Sequence, residues 1–359
     1  MAGSMMVADT GIDAVLERTL AAAYERDGGI GFVGTDLPVE LFCASARPFG
    51  HLPWRTTGQS TWADRWLESG FPGWARSILQ QWHEGAFDAL DVVVFSRADD
   101  ASQRLYYYVV ELQRCKRLAG PRAHILDIAL LPRDSSIEHS AAAIRALARL
   151  LDLERDDLQA GIVRVNGLRG RLDQIESQRT GHGPLFERLG RAALWSDPTQ
   201  WIDSIDLPAA PARVPRVLLA GSVPPDERIH VALETAGCSV VSEAHVHGLR
   251  RLGDPVAEDS DQPERTLAAH LQRSSTGPRA SLDRAAWICA RAKAVRADAA
   301  VLWLTREDEA LAWHVPSQRR ALHEADVPVL VLPATSWLTD AQTHEKISDF
   351  MRNAKHATT

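Results

Sequence analysis

Two stretches of the chain, Gly34-Thr35-Asp36-Leu37-Pro38-Val39-Glu40 and Gly221-Ser222-Val223-Pro224-Pro225-Asp226-Glu227, carry one pattern. Each follows a short apolar run and sets a glycine and a hydroxyl residue ahead of a proline and an acid. An apolar run ending in such a turn reads as a strand leaving a sheet. A proline with an acid close behind reads as the first turn of a helix, where the missing N–H would be unpaired anyway and the carboxylate meets the positive end of the dipole. A second matched pair lies further along. Val94-Phe95-Ser96-Arg97-Ala98-Asp99-Asp100 and Trp303-Leu304-Thr305-Arg306-Glu307-Asp308-Glu309 leave their apolar runs in the same way, so Asp99 and Asp308 hold equivalent places. This doubled order predicts an α/β fold of two Rossmann-like parallel-sheet lobes. It sets both carboxylates at the C-terminal ends of strands, where open α/β sheets bind ligands.

Apolar runs at residues 30–33, 90–95, 125–131, 217–219, 239–241, 300–304 and 327–332 are the predicted strands. Several are apolar almost throughout, as strands covered on both faces by helices are. Residues 136–201, rich in Ala, Leu, Arg and Glu, predict a helical segment between the lobes. Pro208, Pro211 and Pro215 cannot continue it, and the run around them reads as a boundary. The expected division is an N-terminal helical arm (1–28, helical over 11–26 and stopped by Gly28 and Gly29), a first α/β lobe (29–135), the helical region (136–207), a Pro-rich linker (208–215) and a second α/β lobe (216–359). A length of 359 residues suits two such units, each able to bury a core.

With 40 basic against 47 acidic residues, the formal charge of -7 gives neither nucleic acid nor an anionic membrane an electrostatic reason to bind. No apolar run approaches the roughly 18 residues of a membrane span, and residues 1–10 lack the charged start and apolar stretch of a signal peptide. A cytoplasmic location is expected. Cys43, Cys115, Cys238 and Cys289 form no CxxC pair, which excludes a disulfide framework and a zinc site by spacing. Their apolar surroundings suit small core residues.

Further landmarks are Pro38 and Glu40, Gly50-His51-Leu52-Pro53, Trp74-Ala75-Arg76-Ser77, Asp99 followed by Arg104-Leu105-Tyr106, Asn166, residues 217–222, Trp313-His314-Val315-Pro316-Ser317 and residues 327–332. In order and spacing, over nearly the whole chain, they resemble the subunits of 2-hydroxyacyl-CoA dehydratases and benzoyl-CoA reductases, the 2-hydroxyglutaryl-CoA dehydratase D-component among them. The resemblance implies an iron-sulfur cluster held between two lobes by three cysteines, pairs of similar subunits, and a separate ATP-dependent electron activator. Carried over position by position, those cysteines fall near Pro72, on Asp99 and on Asp308, and none is a cysteine here. Cys43, Cys238 and Cys289 lie within apolar elements, and Cys115 lies about four turns into the helix after Asp99. The expectation is a chain that binds no cofactor and no metal itself, with a [4Fe-4S] cluster in a partner subunit. That partner is a homologous cysteine-bearing subunit or a second copy in a dimer, and acyl-CoA is the implied ligand.

Each candidate residue has a plainer alternative. Asp99 and Asp308 are the candidate catalytic pair, two carboxylates able to share a proton or hold a hard cation; the alternative is strand-end residues solvated or paired with Arg97 and Arg306. Thr35 and Ser222, with Arg55, are candidate substrate contacts for an acyl thioester or phosphate, whereas as helix caps the two hydroxyls are equally well explained. There is no GxGxxG and no GxxxxGK[ST]. Trp54, Trp62, Trp66, Trp74 and Trp82 cluster around the first lost cysteine position, either filling a void or lining an aromatic-acyl pocket. His182, His245, His247 and His314 are scattered. His245 and His247 alternate as on a strand end, without an evident third ligand, and suit the surface. Arg114, Lys116, Arg117 and Arg122 form a basic run that suits a CoA phosphate or a solvated helix end.

Three functions follow. The first is a cluster-free subunit of a heteromeric dehydratase (hydro-lyase) or reductase-like enzyme, contributing interface and part of an acyl-CoA pocket and carrying no radical chemistry alone. The second is a repurposed non-redox enzyme with Asp99 and Asp308 as acid and base. The third is a non-catalytic ligand-binding or regulatory protein that kept the cleft.

Overall fold

The computed structural model describes residues 11–209 and 214–356. Residues 1–10 of the expected arm, 210–213 of the expected linker and 357–359 lie outside the described residues. In chain order come α1 (Gly11–Ala22), β1 (Ile30–Val33), α2 (Val39–Ala44), β2 (Phe49–His51), α3 (Gly73–His83), β3 (Val92–Ser96), α4 (Asp100–Arg114) and β4 (Arg122–Leu126). Three consecutive helices follow: α5 (Asp134–Leu150), α6 (Arg155–Ser177) and α7 (Gly183–Trp195). The rest runs β5 (Arg216–Gly221), α8 (Arg228–Thr235), β6 (Ser239–Ala244), α9 (Pro263–Ser274), α10 (Arg284–Ala294), β7 (Ala299–Thr305), α11 (Glu309–Ala312), α12 (Val315–Glu324), β8 (Val329–Thr335) and α13 (Ala341–His356).

The strands make two four-stranded parallel sheets of one topology, β2-β1-β3-β4 and β6-β5-β7-β8. The fold is therefore α/β with two Rossmann-like parallel sheets, and the sequence repeat is a repeat of sheet order. In each sheet the winding reverses between its first and third strands, β1 and β3 or β5 and β7, which opens a crevice at their C-terminal ends. The registers Val33 to Phe95 and Gly221 to Trp303 bring the two matched turns of each lobe side by side at that crevice.

Strands β1, β3, β6 and β7 are buried along their full length, as their sequences require. Two of the four edge strands differ: β4 exposes Arg122 and half-buries His124, and β8 carries Pro333, which has no N–H for a further neighbour, whereas the edge strands β2 and β6 are buried. Two strands depart from the sequence reading. The run at 125–131 was expected to be a strand, but pairing occupies Arg122–Leu126, because β4 has only β3 to bond to and β3 ends at Ser96. Strand β2 is not predicted at all; three residues with a central glycine behind Pro48 carry little strand signal. Gly50 is nonetheless required, since a Cβ there would lie 2.1 Å from the Trp195 carbonyl oxygen at the end of α7.

Beyond β6 the chain crosses back to the first lobe. Val256, Leu267, Ala268 and Leu271 are buried in the same apolar core as Leu41, Val93 and Ile144. Arg279 Nη1 donates to the Arg97 carbonyl at 2.8 Å, and Ser275 Oγ donates to Asp36 Oδ2 at 2.8 Å. At the end of α6, Arg179 ties the helical region to the second sheet, donating from Nε to the Val240 carbonyl at 3.1 Å and from Nη2 to Glu243 at 2.8 Å.

Candidate functional site

The crevices of the two sheets meet in one cavity of about 190 Å³, more than ten times the roughly 10–15 Å³ that one water needs. Its wall includes Thr35, Pro72 and Asp99 from the first lobe and Ser222, Thr305 and Asp308 from the second. The sequence repeat thus brings its two carboxylates and its two Gly-hydroxyl turns to one place.

The glycines are needed for this approach. Gly34 has φ +96°, and a Cβ would press on Ser102 Oγ at 2.6 Å, Ser96 Cβ at 2.8 Å and Asp99 Oδ2 at 2.9 Å. Gly221 has φ +109°, and a Cβ would meet the Trp303 carbonyl oxygen at 2.2 Å. Beside Gly221 the Ser222 N–H donates to that carbonyl at 2.8 Å, and Ser222 Oγ accepts the Thr305 N–H at 2.9 Å. The hydroxyls cap neither α2 nor α8; Thr35 Oγ1 donates to Asp36 Oδ2 at 3.3 Å instead.

Asp99 and Asp308 are alike in place and different in bonding. Asp99 caps α4, with Oδ1 accepting the Ser102 N–H at 2.7 Å. Asp308 takes a longer hydrogen bond, 3.4 Å, from Thr305 Oγ1 and makes no capping bond. Neither pairs with the arginine beside it: Arg97 turns to Asp127 and Arg306 is exposed. Withdrawal from bulk water raises both pKa values, the Ser102 bonds partly offset this at Asp99, and the charge of Asp308 adds to the rise there. Asp36, beside Thr35, is pushed up to about 6 by burial, against the lowering bonds from Ser275 and Thr35.

Three histidines complete the polar wall. His51, at the end of β2, accepts the Gly34 N–H at Nε2 (3.2 Å) and donates from Nδ1 to the Leu52 carbonyl (2.7 Å). That pattern is the neutral ring, and burial holds its pKa down to about 3. His245 and His247 do not lie on the surface, the plainer expectation for them. His245 is buried with Nε2 2.9 Å from Glu243 Oε2, and His247 stacks on Trp54 at 5.9 Å, because β6 ends at Ala244 against the cavity. Arg284, 6% exposed, supplies a positive charge and donates to the Thr276 and Gly277 carbonyls.

The tryptophan-rich stretch divides between the cavity wall and the core. Trp54 and Trp74 line the cavity together with Trp287 and Trp337 from the second lobe, and Gly73 leaves the space that Trp337 fills. Trp82 is a core residue, with Nε1 donating to the Ala119 carbonyl at 2.9 Å. Trp62 and Trp66 are half-buried, Trp62 stacking on His83 at 4.0 Å.

Other candidates fall elsewhere. Arg55 is outside the cavity wall, paired with Glu84 at 2.9 Å and lying over Tyr24. Arg114, Lys116, Arg117 and Arg122 are exposed around the end of α4, and His182 and His314 are half-buried away from the wall. Cys43 and Cys238 are core residues and Cys289 is half-buried, but Cys115 is exposed, because it ends α4 on its solvated side. None of the four lines the cavity. Among the described residues no group of three His, Cys, Asp or Glu side chains is arranged to hold a metal ion. Sequence reasoning passed over His51, Trp287, Trp337 and Arg284; of these only His51 had a signal, its place in the Gly50-His51-Leu52-Pro53 landmark.

Among the described residues no helix is long and apolar enough to cross a membrane. No curated protein matches the chain at a significant level. The family model for the D-component of 2-hydroxyglutaryl-CoA dehydratase matches residues 35–352, from the turn after β1 into α13, and a match of that extent makes the chain a member of this family.

Proposed function

We propose that the chain is a cluster-free subunit of a 2-hydroxyacyl-CoA dehydratase-type system, working beside a cysteine-bearing relative and contributing part of an acyl-CoA pocket. The supporting observation is the interlobe cavity, which gathers Pro72, Asp99 and Asp308, where the resemblance implies thiolates. Iron-sulfur clusters are held by soft thiolates. A proline has no donor, and carboxylates with raised pKa values keep their protons longer, so these residues do not fit such a cluster.

The residues present supply acid-base chemistry in an apolar setting. The Ser102 N–H orients Asp99 and the Thr305 hydroxyl orients Asp308. Burial raises both carboxyls and the charge of Asp308 raises Asp99 further, so that one can hold a proton while the other accepts one, which suits proton transfer at an acyl group. The indoles of Trp54, Trp74, Trp287 and Trp337 suit the acyl body. The same pair favours a second reading, a non-redox enzyme that uses Asp99 and Asp308 without a redox partner.

Anaerobic purification from the native host, with iron and sulfide analysis and identification of co-eluting chains, tests both. The expected result is a colourless chain without stoichiometric iron, co-eluting with an iron-bearing relative. About four irons on the isolated chain would overturn the cluster-free reading. A stable monomer with no such companion would overturn the subunit reading and leave the second.

A further inference from the structure

The interlobe cavity has a smaller neighbour. A chamber of about 60 Å³ shares Thr35, Val246, His247 and Thr276 with it, and its wall also includes Arg251 and Asp36. That volume is several times the roughly 10–15 Å³ of one water, enough for a group of a few heavy atoms. Arg251 belongs to the 3₁₀ turn Leu249–Leu252 that follows β6. Its Nη2 donates to the Ala193 carbonyl at 2.6 Å, while its Nη1 is sealed from solvent and has no acceptor.

Among the described residues no carboxylate pairs with this guanidinium. The two acids of the chamber are engaged elsewhere: Glu40 with Arg169, and Asp36 with the hydroxyls of Ser275 and Thr35. Burial alone lowers the Arg251 pKa to about 10, which leaves it charged at neutral pH. Its charge reaches His51 and His247 and helps to keep both rings neutral, which puts the guanidinium near the junction of chamber and cavity. Arg251 is half-buried, and a guanidinium with a sealed, idle N–H and no carboxylate partner is a donor set without its acceptor.

We infer that the chamber binds a small singly charged carboxylate, received by the guanidinium of Arg251. One unpaired positive charge matches one carboxylate rather than a phosphate dianion, and the planar guanidinium suits carboxylate oxygens. The inference is independent of what the larger cavity holds.

The test uses the full chain, with butyrate, its neutral isostere butyramide and inorganic phosphate titrated separately by ligand-observed NMR. Wild type is expected to bind butyrate at least about tenfold more tightly than butyramide. Arg251→Met, which keeps the apolar stem, should lose at least about tenfold in butyrate affinity and leave butyramide within about twofold. No butyrate binding, equal binding of acid and amide, tighter binding of phosphate, or unchanged affinity in the variant would each overturn the inference. If Arg251→Met does not fold, the acid-amide comparison on wild type and the same titrations on Arg251→Lys decide. A lysine variant that keeps charge and loses the planar fork should weaken butyrate without abolishing its preference over butyramide.

Discussion

Asp36 stands in the left-handed region at φ +57° and is withdrawn from water, with a pKa of about 6. Because the folded state holds this proton more tightly than the unfolded chain, the native form is favoured at low pH. Stability from this group falls as pH rises from about 4 to about 6 and is level above that. A rise from 3.8 to about 6 corresponds to about 3 kcal/mol. Asn tolerates the left-handed conformation, can accept from the Ser275 hydroxyl and has no charge to desolvate. Asp36→Asn should therefore match wild type near pH 4 and exceed it by up to about 3 kcal/mol above pH 6, read as the difference between urea unfolding curves at each pH. A constant offset across the range would show that the carboxyl titrates normally. The repeat made Asp99 and Asp308 legible in the sequence. His51, His247 and Arg251 were not, since their roles depend on which walls close around them, and neither ring nor guanidinium announces its burial from its neighbours in sequence.

At the scale of elements, two kinds of glycine give opposite expectations. Gly221 ends β5 at φ +109°, with the Trp303 carbonyl oxygen 2.2 Å from where a Cβ would stand. Gly221→Ala must strain the turn and push β7, and it should cost more than about 2 kcal/mol. Gly167 lies inside α6 with nothing within 4 Å of its Cβ position. Gly167→Ala should gain about 0.5–1 kcal/mol, because alanine loses less freedom on entering a helix. Urea midpoints at unchanged slope measure both, and destabilisation by Gly167→Ala would mean that this face of α6 meets a surface. Most elements were readable from such local rules, the apolar strands and the Gly-hydroxyl turns above all. The exceptions were set by neighbours. Strand β2 exists because β1 offers an edge and α7 seats Gly50, and β4 stops where β3 does.

At the scale of the whole molecule, the doubled sheet order suggests two lobes that fold apart, yet the cores do not divide that way. Val256, Leu267, Ala268 and Leu271, from the chain beyond β6, complete the core around β1 and β3. Burying a Val or Leu contributes roughly 1.5–3 kcal/mol, so Val256, Leu267 and Leu271 together approach the roughly 5–15 kcal/mol by which a domain is stable. Trp54 adds a tie in the other direction, donating from Nε1 to the Pro225 carbonyl of the second lobe at 2.8 Å. This crossing was not visible in the sequence, where α9 reads as an ordinary helix of the second half and nothing local says which sheet its apolar face meets. It leads to a prediction about cooperativity. A fragment of residues 1–209 lacks part of its own core and should remain unfolded by circular dichroism. The full chain should unfold in urea as one transition, with far-UV circular dichroism and tryptophan fluorescence coinciding, since Trp54, Trp74 and Trp82 in the first lobe and Trp287 and Trp303 in the second report on both. Two separated transitions, or a folded 1–209 fragment, would show that the returning segment decorates the first lobe and does not complete it.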